Sequence, residues 1–283
     1  MTQLNKAVVL ITGASGGFGQ ELTRQLLAAG SRLILTDVDE RLLYEQIEVI
    51  HHEVGIGEVL ACMSVDLSTR EGCEILYRQV KELNIPVDIV INNAGIALFG
   101  RMDEIPSEKW ERLMQINLLT PMRLSALFIA DMIARQKGHI VNISSVTGWY
   151  APSGMAHYAT SKFGLRGFSE GLFQEVKDYN VKVTVVYPSF SRTPILQSER
   201  LGTLAEGFHG FPENLATDPA KVMRATIRGI IHNELHVFPD ATAKNTHFLK
   251  RYSPQLLTWI IDKLFKNLKS NQSNEPQILG TEK

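Results

Sequence analysis

Short, wholly apolar runs alternate along the first two thirds of the chain with longer segments whose apolar positions recur every three or four residues. Ala7 to Ile11 is one such run, ending at Thr12-Gly13, and Gln20 to Ala29 has helical spacing that stops at Gly30. The pattern then repeats. Arg32 to Thr36, Glu58 to Ser64 and Val87 to Ile91 read as strands, and Glu40 to Glu53 and Thr69 to Leu83 as the helices between them. A long helix follows over Ser107 to Arg135, with Ser107 as N-cap and Pro121 bending or interrupting it. His139 to Ile143 is a strand, a helix runs through Tyr158 to Tyr179, and Val181 to Tyr187 is a sixth strand ending at Pro188. Buried strands alternating with helices predict an α/β fold with one doubly wound parallel sheet and helices on both faces, with ligands beyond the carboxyl ends of the strands.

From Ser189 to Thr217 the periodicity loosens. Pro194, Gly202, Gly207, Gly210 and Pro212 break short helical pieces carrying Leu196, Leu201, Phe208 and Phe211, which predicts a substrate lid. Pro219 to His232 restores a helix and His236 to Phe238 reads as a seventh strand. The division is a catalytic domain over 1–240, an amphipathic helical extension over 241–269 and a disordered tail over 270–283.

Composition narrows the picture. The 283 residues are 44% hydrophobic and 21% charged, which suits one large globular domain. A formal charge of −1 gives no general attraction to nucleic acid. Cys62 and Cys73 have neither metal-ligand nor redox spacing, and no metal site is expected. They point to a reducing cytosol, and the N-terminus has the pattern of neither a signal peptide nor a membrane span.

The chemistry starts at the first strand-to-helix turn. Its backbone N–H groups and the following helix N-terminus suit a pyrophosphate, over Gly13, Ser15, Gly16, Gly17, Phe18 and Gly19. Asp37 ends the second strand, 24 residues after Gly13, where a carboxylate would bond ribose hydroxyls and repel the extra phosphate of NADP. NAD is therefore favoured over NADP, with Arg41 the nearby cation that argues the other way. Asn93, Ala94 and Gly95 supply small residues along a cofactor or, alternatively, an Asx turn. Asp66 either meets the adenine amino group or caps the helix starting near Thr69.

Tyr158 and Lys162 stand four residues apart on a helix, with Ser145 thirteen residues before the tyrosine. The spacing puts phenol and ammonium on one face, where the charge would draw the phenol's pKa from about 10 toward neutrality and suit it to move a proton at a carbonyl oxygen. Ser144 is the rival serine, but the interval favours Ser145. His157, about 100° round the helix from Tyr158, faces elsewhere.

Taken together, the glycine turn, Asn92 to Gly95, Asn117, Ser145 and Tyr158-x-x-x-Lys162 resemble the short-chain dehydrogenase/reductase family, in its shorter single-domain branch, from about residue 6 to about 195. The resemblance implies a Rossmann-type fold and an NAD(P)-dependent enzyme acting on an alcohol or carbonyl. Tyr158 would be the acid/base and Ser145 would hold the substrate oxygen. Lys162 would tune Tyr158 and bind the nicotinamide ribose, while Asn117 would hold a relay water. Pro188 and Thr193 fall where the family lines the nicotinamide, but Ser189 replaces the family's usual glycine. The resemblance also implies a homodimer or homotetramer paired through the helices of Ser107–Arg135 and Tyr158–Tyr179.

The walls expected from Leu98, Phe99, Trp149, Tyr150, Met155, Phe190, Leu196, Leu201, Phe208 and Phe211 favour a hydrophobic alcohol or ketone over a sugar. A silent dinucleotide sensor or scaffold is the competing class, and a sugar-nucleotide epimerase a third. Leu257, Ile260, Ile261, Leu264, Phe265 and Leu268 follow helical spacing among lysines, a pattern for docking on protein or for peripheral contact with an anionic membrane.

Overall fold

The computed structural model describes residues 1–206 and 216–272, with side chains of the last helix described as far as Lys263. Phe208, Phe211 and residues 273–283 lie outside the described residues, as do the side chains of Leu264, Phe265 and Leu268.

The strands are β1 (Val8–Thr12), β2 (Arg32–Asp37), β3 (Glu58–Ser64), β4 (Ile89–Asn92), β5 (Phe99–Gly100), β6 (Gly138–Ile143), β7 (Val181–Val186), β8 (Arg200–Leu201) and β9 (His236–Val237). Seven of them form one sheet in the order β3-β2-β1-β4-β6-β7-β9, every pair parallel. The helices are α1 (Gly17–Ala28), α2 (Glu40–Val54), α3 (Arg70–Glu82), α4 (Ser107–Met114), α5 (Thr120–Arg135), α6 (Ala156–Val176), α7 (Pro219–His232), α8 (Ala241–Tyr252) and α9 (Pro254–Gln272).

The continuous apolar strands follow from burial on both faces. Val9, Ile11, Leu33, Leu35, Ile89 and Ile91 point to a core with Leu22 and Leu26 of α1 and Met223 and Ile230 of α7. Their neighbours Val8, Leu10, Ile34 and Val90 point the other way, to Leu76 of α3, Leu124, Phe128 and Met132 of α5 and Leu172 of α6. Strand order reverses between β1 and β4, so the cleft opens above their carboxyl ends, where such sheets bind ligands.

One local feature differs from the sequence reading. Ser107 is the first residue of α4, preceded by Pro106 as the capping position with no side-chain cap, so it does not serve as N-cap. The long helix is broken by a π turn over Gln115–Leu119, with Pro121 in the first turn of α5 just beyond. Proline has no N–H to return to the preceding turn, and widened turns of this kind recur at functional sites. The stretch Ser107–Arg135 is, among the described residues, the one long and apolar enough to cross a membrane by length and composition, and here α5 packs on the sheet. The pair β5–β8 was not predicted, because two-residue strands carry no periodic signal.

Candidate active site

The glycine turn forms the floor of the cleft. Gly13 has φ +65°, and a Cβ there would lie 2.7 Å from the Ala94 Cα. A Cβ on Gly19 would lie 2.1 Å from the Gly13 carbonyl oxygen, so only glycine lets α1 start this close to β1. Asn93 locks the two sides together, its Nδ2 donating to the carbonyls of Thr12 (3.0 Å) and Gly13 (2.9 Å). Thr12 Oγ1 accepts from the N–H groups of Asn93 and Ala94 at 3.1 and 3.0 Å, a role the sequence reading missed.

Helices α2, α3, α7 and α8 begin under side-chain caps from Asp39, Thr69, Asp218 and Asp240. Helix α1 has Gly16 at its capping position and so no side-chain cap, its N-terminus facing the cleft. A dinucleotide's pyrophosphate fits this opening, because the uncapped N–H groups and the positive end of the helix dipole suit an anion.

The outer cleft has a volume of about 480 Å³ and is walled by Gly13, Ser15 to Phe18, Asp37, Asp66, Asn93 to Gly95 and Thr193. Asp37 faces the turn: its Oδ2 accepts from Ser15 N–H (2.9 Å) and from the Ser15 hydroxyl, and its Oδ1 from Val38 N–H (2.8 Å). Arg41 is turned to Glu45 at 2.7 Å and does not line the cleft. Asp66 bonds Ser68 N–H at 2.9 Å, which holds its carboxyl below the usual range, while Thr69 caps α3. Val65, Leu67, Arg112 and Ile116 complete this end, on residues whose spacing gave no sign of it.

An inner chamber of about 150 Å³ shares Phe18, Asn93, Gly95 and Thr193 with the outer cleft. Ser145, Tyr158, Lys162 and Pro188 meet there. Ser145 follows β6, and its hydroxyl accepts from Thr147 N–H (3.2 Å) and bonds Tyr158. Ser144 is turned away, donating to the carbonyl of Lys162 at 3.0 Å. Lys162 Nζ donates to the Ile143 carbonyl at 3.0 Å and stands 5.6 Å from the centre of the Tyr158 ring.

The electrostatics differ from the sequence reading. Burial pushes the Tyr158 phenol up to about 12, with the Ser145 bond drawing it slightly down, and Lys162 does not pull it toward neutrality. Burial instead pushes Lys162 down to about 8. Spacing of i,i+4 fixed the shared face, but the protein around both groups sets which charged form is tolerated.

Asn117 is fully buried beneath the chamber. Its Oδ1 accepts from Ile96 N–H (2.9 Å), and its Nδ2 donates to the Ile96 carbonyl (2.8 Å) and to Ser161 Oγ (3.3 Å). Both N–H bonds of its amide are thus occupied by protein. The amide clamps the segment after Gly95, whose Cβ, if present, would lie 3.3 Å from Asn117 Oδ1 and 3.7 Å from Lys162 Nζ. His157 turns away, donating from Nε2 to the Leu98 carbonyl at 2.8 Å.

The apolar wall consists of Leu98, Phe99, Ile143, Val146, Met155, Phe190 and Leu196. Trp149, Tyr150 and Leu201 do not line it, contrary to expectation. Trp149 packs instead under the Arg166 guanidinium (3.3 Å) and against His247 (4.3 Å), and Leu201 packs with Leu98 and Tyr158 behind the wall.

Ser189 has a definite role. Its N–H and hydroxyl donate to Asp240 at 3.0 and 2.7 Å, and Asp240 also caps α8 through Ala243 N–H at 2.8 Å. Asp240→Ala loses all three bonds and is expected to cost about 2 kcal/mol, seen by calorimetry as a melting point about 4–8 °C lower. Ser189→Gly, which keeps the N–H bond, is expected to lose less than half of that, and equal losses would contradict the shared anchor.

Among the described residues no three His, Cys, Asp or Glu side chains gather as metal ligands. Residues 7–203 match the family model for short chain dehydrogenase. A bovine (Bos taurus) 3-ketodihydrosphingosine reductase is 37% identical over 190 residues, 66% of this chain, and the chain spans 57% of that relative's length. Human (Homo sapiens) epidermal retinol dehydrogenase 2 is 31% identical over 251 residues, covering 87% of this chain and 78% of the relative. The solved structure of a short-chain dehydrogenase from Sphingobium yanoikuyae in complex with NADPH superposes with a TM-score of 0.74 at 25% identity, covering 98% of this chain and 99% of that one. With its parallel sheet, glycine turn and gathered Ser145, Tyr158 and Lys162, the chain belongs to the short chain dehydrogenase family.

Proposed function

We propose that the protein is an NAD-dependent oxidoreductase that interconverts a hydrophobic primary or secondary alcohol with its aldehyde or ketone. The observation that carries this reading is the meeting of the Ser145 and Tyr158 hydroxyls in a chamber whose larger side chains include Leu98, Phe99, Val146, Met155, Phe190 and Leu196, with Lys162 and Arg200 also on its lining. Such a site orients one polar oxygen and buries an apolar body. The names of the bovine and human relatives, a 3-ketodihydrosphingosine reductase and a retinol dehydrogenase, support an apolar substrate.

A bound nicotinamide would supply or accept the hydride. The chain's own part is proton handling and placement. Ser145 Oγ holds the substrate oxygen, and Tyr158 Oη gives that oxygen a proton in reduction and removes it in oxidation. Below a pH of about 8 Lys162 carries its charge, with Nζ 5.6 Å from the centre of the Tyr158 ring, where it would hold the nicotinamide ribose. Asn117 acts as a positioning residue through its clamp on Ile96. The dinucleotide would lie along Gly13 to Phe18, Asn93 to Gly95, Pro188 and Thr193, with Asp66 at the adenine end. Pairing of subunits runs through α4–α5 and α6, which keep Met122 and Phe163 36% and 40% exposed.

Preference for NAD over NADP rests on Asp37. Its carboxylate borders the outer cleft where a second phosphate would add charge, and Arg112, the one lysine or arginine among the described cleft residues, stands at the Asp66 end. The Sphingobium yanoikuyae relative binds NADPH, so the local residue decides. Asp37→Ala is expected to weaken NADH about tenfold and NADPH much less, read by nicotinamide fluorescence titration. Equal losses for the two cofactors would remove the basis for the preference. In the same titration, oxidation of NADH on adding apolar ketones tests the activity, and tight binding without turnover would favour a sensor.

A further inference from the structure

The C-terminal pair α8–α9 has two unlike faces. One is anchored: Ala243, Thr246 and Leu257 are buried, His247 stacks on Phe238 at 4.3 Å, and Asp240 holds Ser189. Away from these anchors, α8 exposes Phe248 by 60% and Tyr252 by 65%, and α9 exposes Leu256 by 44%, Trp259 by 59% and Ile260 by 36%. On α8, Phe248 and Tyr252 are i,i+4 neighbours with ring centres 4.8 Å apart. On α9, Leu256, Trp259, Ile260 and Lys263 share one side.

Lys244, Arg251 and Lys263 stand beside these apolar side chains, while Lys250 lies farther round α8. Lys244, Lys250, Arg251 and Lys263 are all exposed, and between residues 241 and 263 the only acid is Asp262. The Arg251 guanidinium lies 5.6 Å from the Tyr252 ring centre and Lys263 Nζ 5.2 Å from that of Trp259, so charge and aromatic surface are presented together. The whole chain has a formal charge of −1, which makes this face a local positive patch on a slightly negative molecule.

We propose that this face docks the protein on an anionic lipid bilayer. Aromatic and aliphatic bodies enter the boundary between headgroups and acyl chains, while ammonium and guanidinium heads stay at the level of the lipid phosphates. A second copy of the chain is a poorer occupant, because a two-fold contact sets the same patch against itself and brings its cations together. A nucleic acid would pair the cations but leave Leu256 and Ile260 without an apolar partner. The docked helix is the one whose cap, Asp240, holds the Ser189 loop on the chamber wall.

The test is co-sedimentation of the full chain with phosphatidylglycerol–phosphatidylcholine vesicles and with pure phosphatidylcholine vesicles, at low salt and at about 0.5 M salt. Binding to anionic vesicles is expected to fall at least tenfold in neutral vesicles or at high salt. Joint replacement Lys244→Glu, Arg251→Glu and Lys263→Glu is expected to weaken it about 100-fold, and Phe248→Ser with Trp259→Ser about tenfold. NADH titration of each variant reports folding and keeps this result separate from the oxidoreductase reading. No vesicle binding, equal binding to neutral and anionic vesicles, or variants that bind like the parent would overturn the proposal. So would loss of a dimer in the Phe248→Ser, Trp259→Ser variant with vesicle binding intact, which would assign the face to a second copy.

Discussion

Tyr158→Phe is expected to reduce turnover about a thousandfold or more while leaving NADH affinity within about twofold of the parent. The substitution removes one oxygen and nothing else from a ring packed with Leu98, Ile105 and Leu113, so the fold and the outer cleft should survive it. That oxygen is the one placed to move the proton: it is bonded by Ser145, and burial keeps it protonated at neutral pH, with a pKa of about 12. Reduction can therefore start from a phenol without prior protonation. Steady-state kinetics and fluorescence titration of the same variant separate the two effects, and unchanged turnover would end the assignment of Tyr158 as acid/base.

Lys162→Met is expected to lower turnover about a hundredfold and, separately, to alter how stability depends on pH. Burial lowers Lys162 to about 8, against 10.5 for a free lysine. Between those values the unfolded chain holds more protons than the folded one, so the lysine's contribution to stability rises with pH. Its penalty is full below about 8 and gone above about 10.5. Relative to Lys162→Met, the parent should gain about 3 kcal/mol between neutral pH and the top of that window. In calorimetry that is a difference in melting point that moves by about 6–12 °C in the parent's favour. A difference that stays constant with pH would show that Lys162 is not held in a buried, charge-averse place.

The order of elements was legible because a strand buried on both faces is apolar at every position, while a helix covering one face repeats every three to four residues. Val8 to Thr12 and Gly17 to Ala28 show both signals side by side. The backbone chemistry of the site was legible for a similar reason: Gly13 and Gly19 sit where a side chain cannot fit, and Asp37 sits where β2 must end. What escaped was environment. Trp149 and Tyr150 are aromatic and near Ser145 in sequence, but the short turn after Ser145 sends Trp149 to Arg166 and His247. Periodicity gave Tyr158 and Lys162 a common face, whereas their proton affinities depend on burial by the folded protein and, for Tyr158, on the bond from Ser145 after β6. Asn117 was named from the sequence, but the π turn that carries it has no distinct sequence period.

The central claim is that Tyr158 and Ser145 serve hydride transfer between a nicotinamide and an apolar alcohol or carbonyl. The full chain incubated with NADH carrying deuterium at nicotinamide C4 and a panel of apolar ketones tests it, with mass spectrometry of the alcohol formed. One deuterium on the carbinol carbon, transferred by the parent and abolished in Tyr158→Phe, is the expected result. Saturable NADH binding with no deuterium transferred to any ketone of the panel would contradict it and leave a protein that binds a dinucleotide without using it.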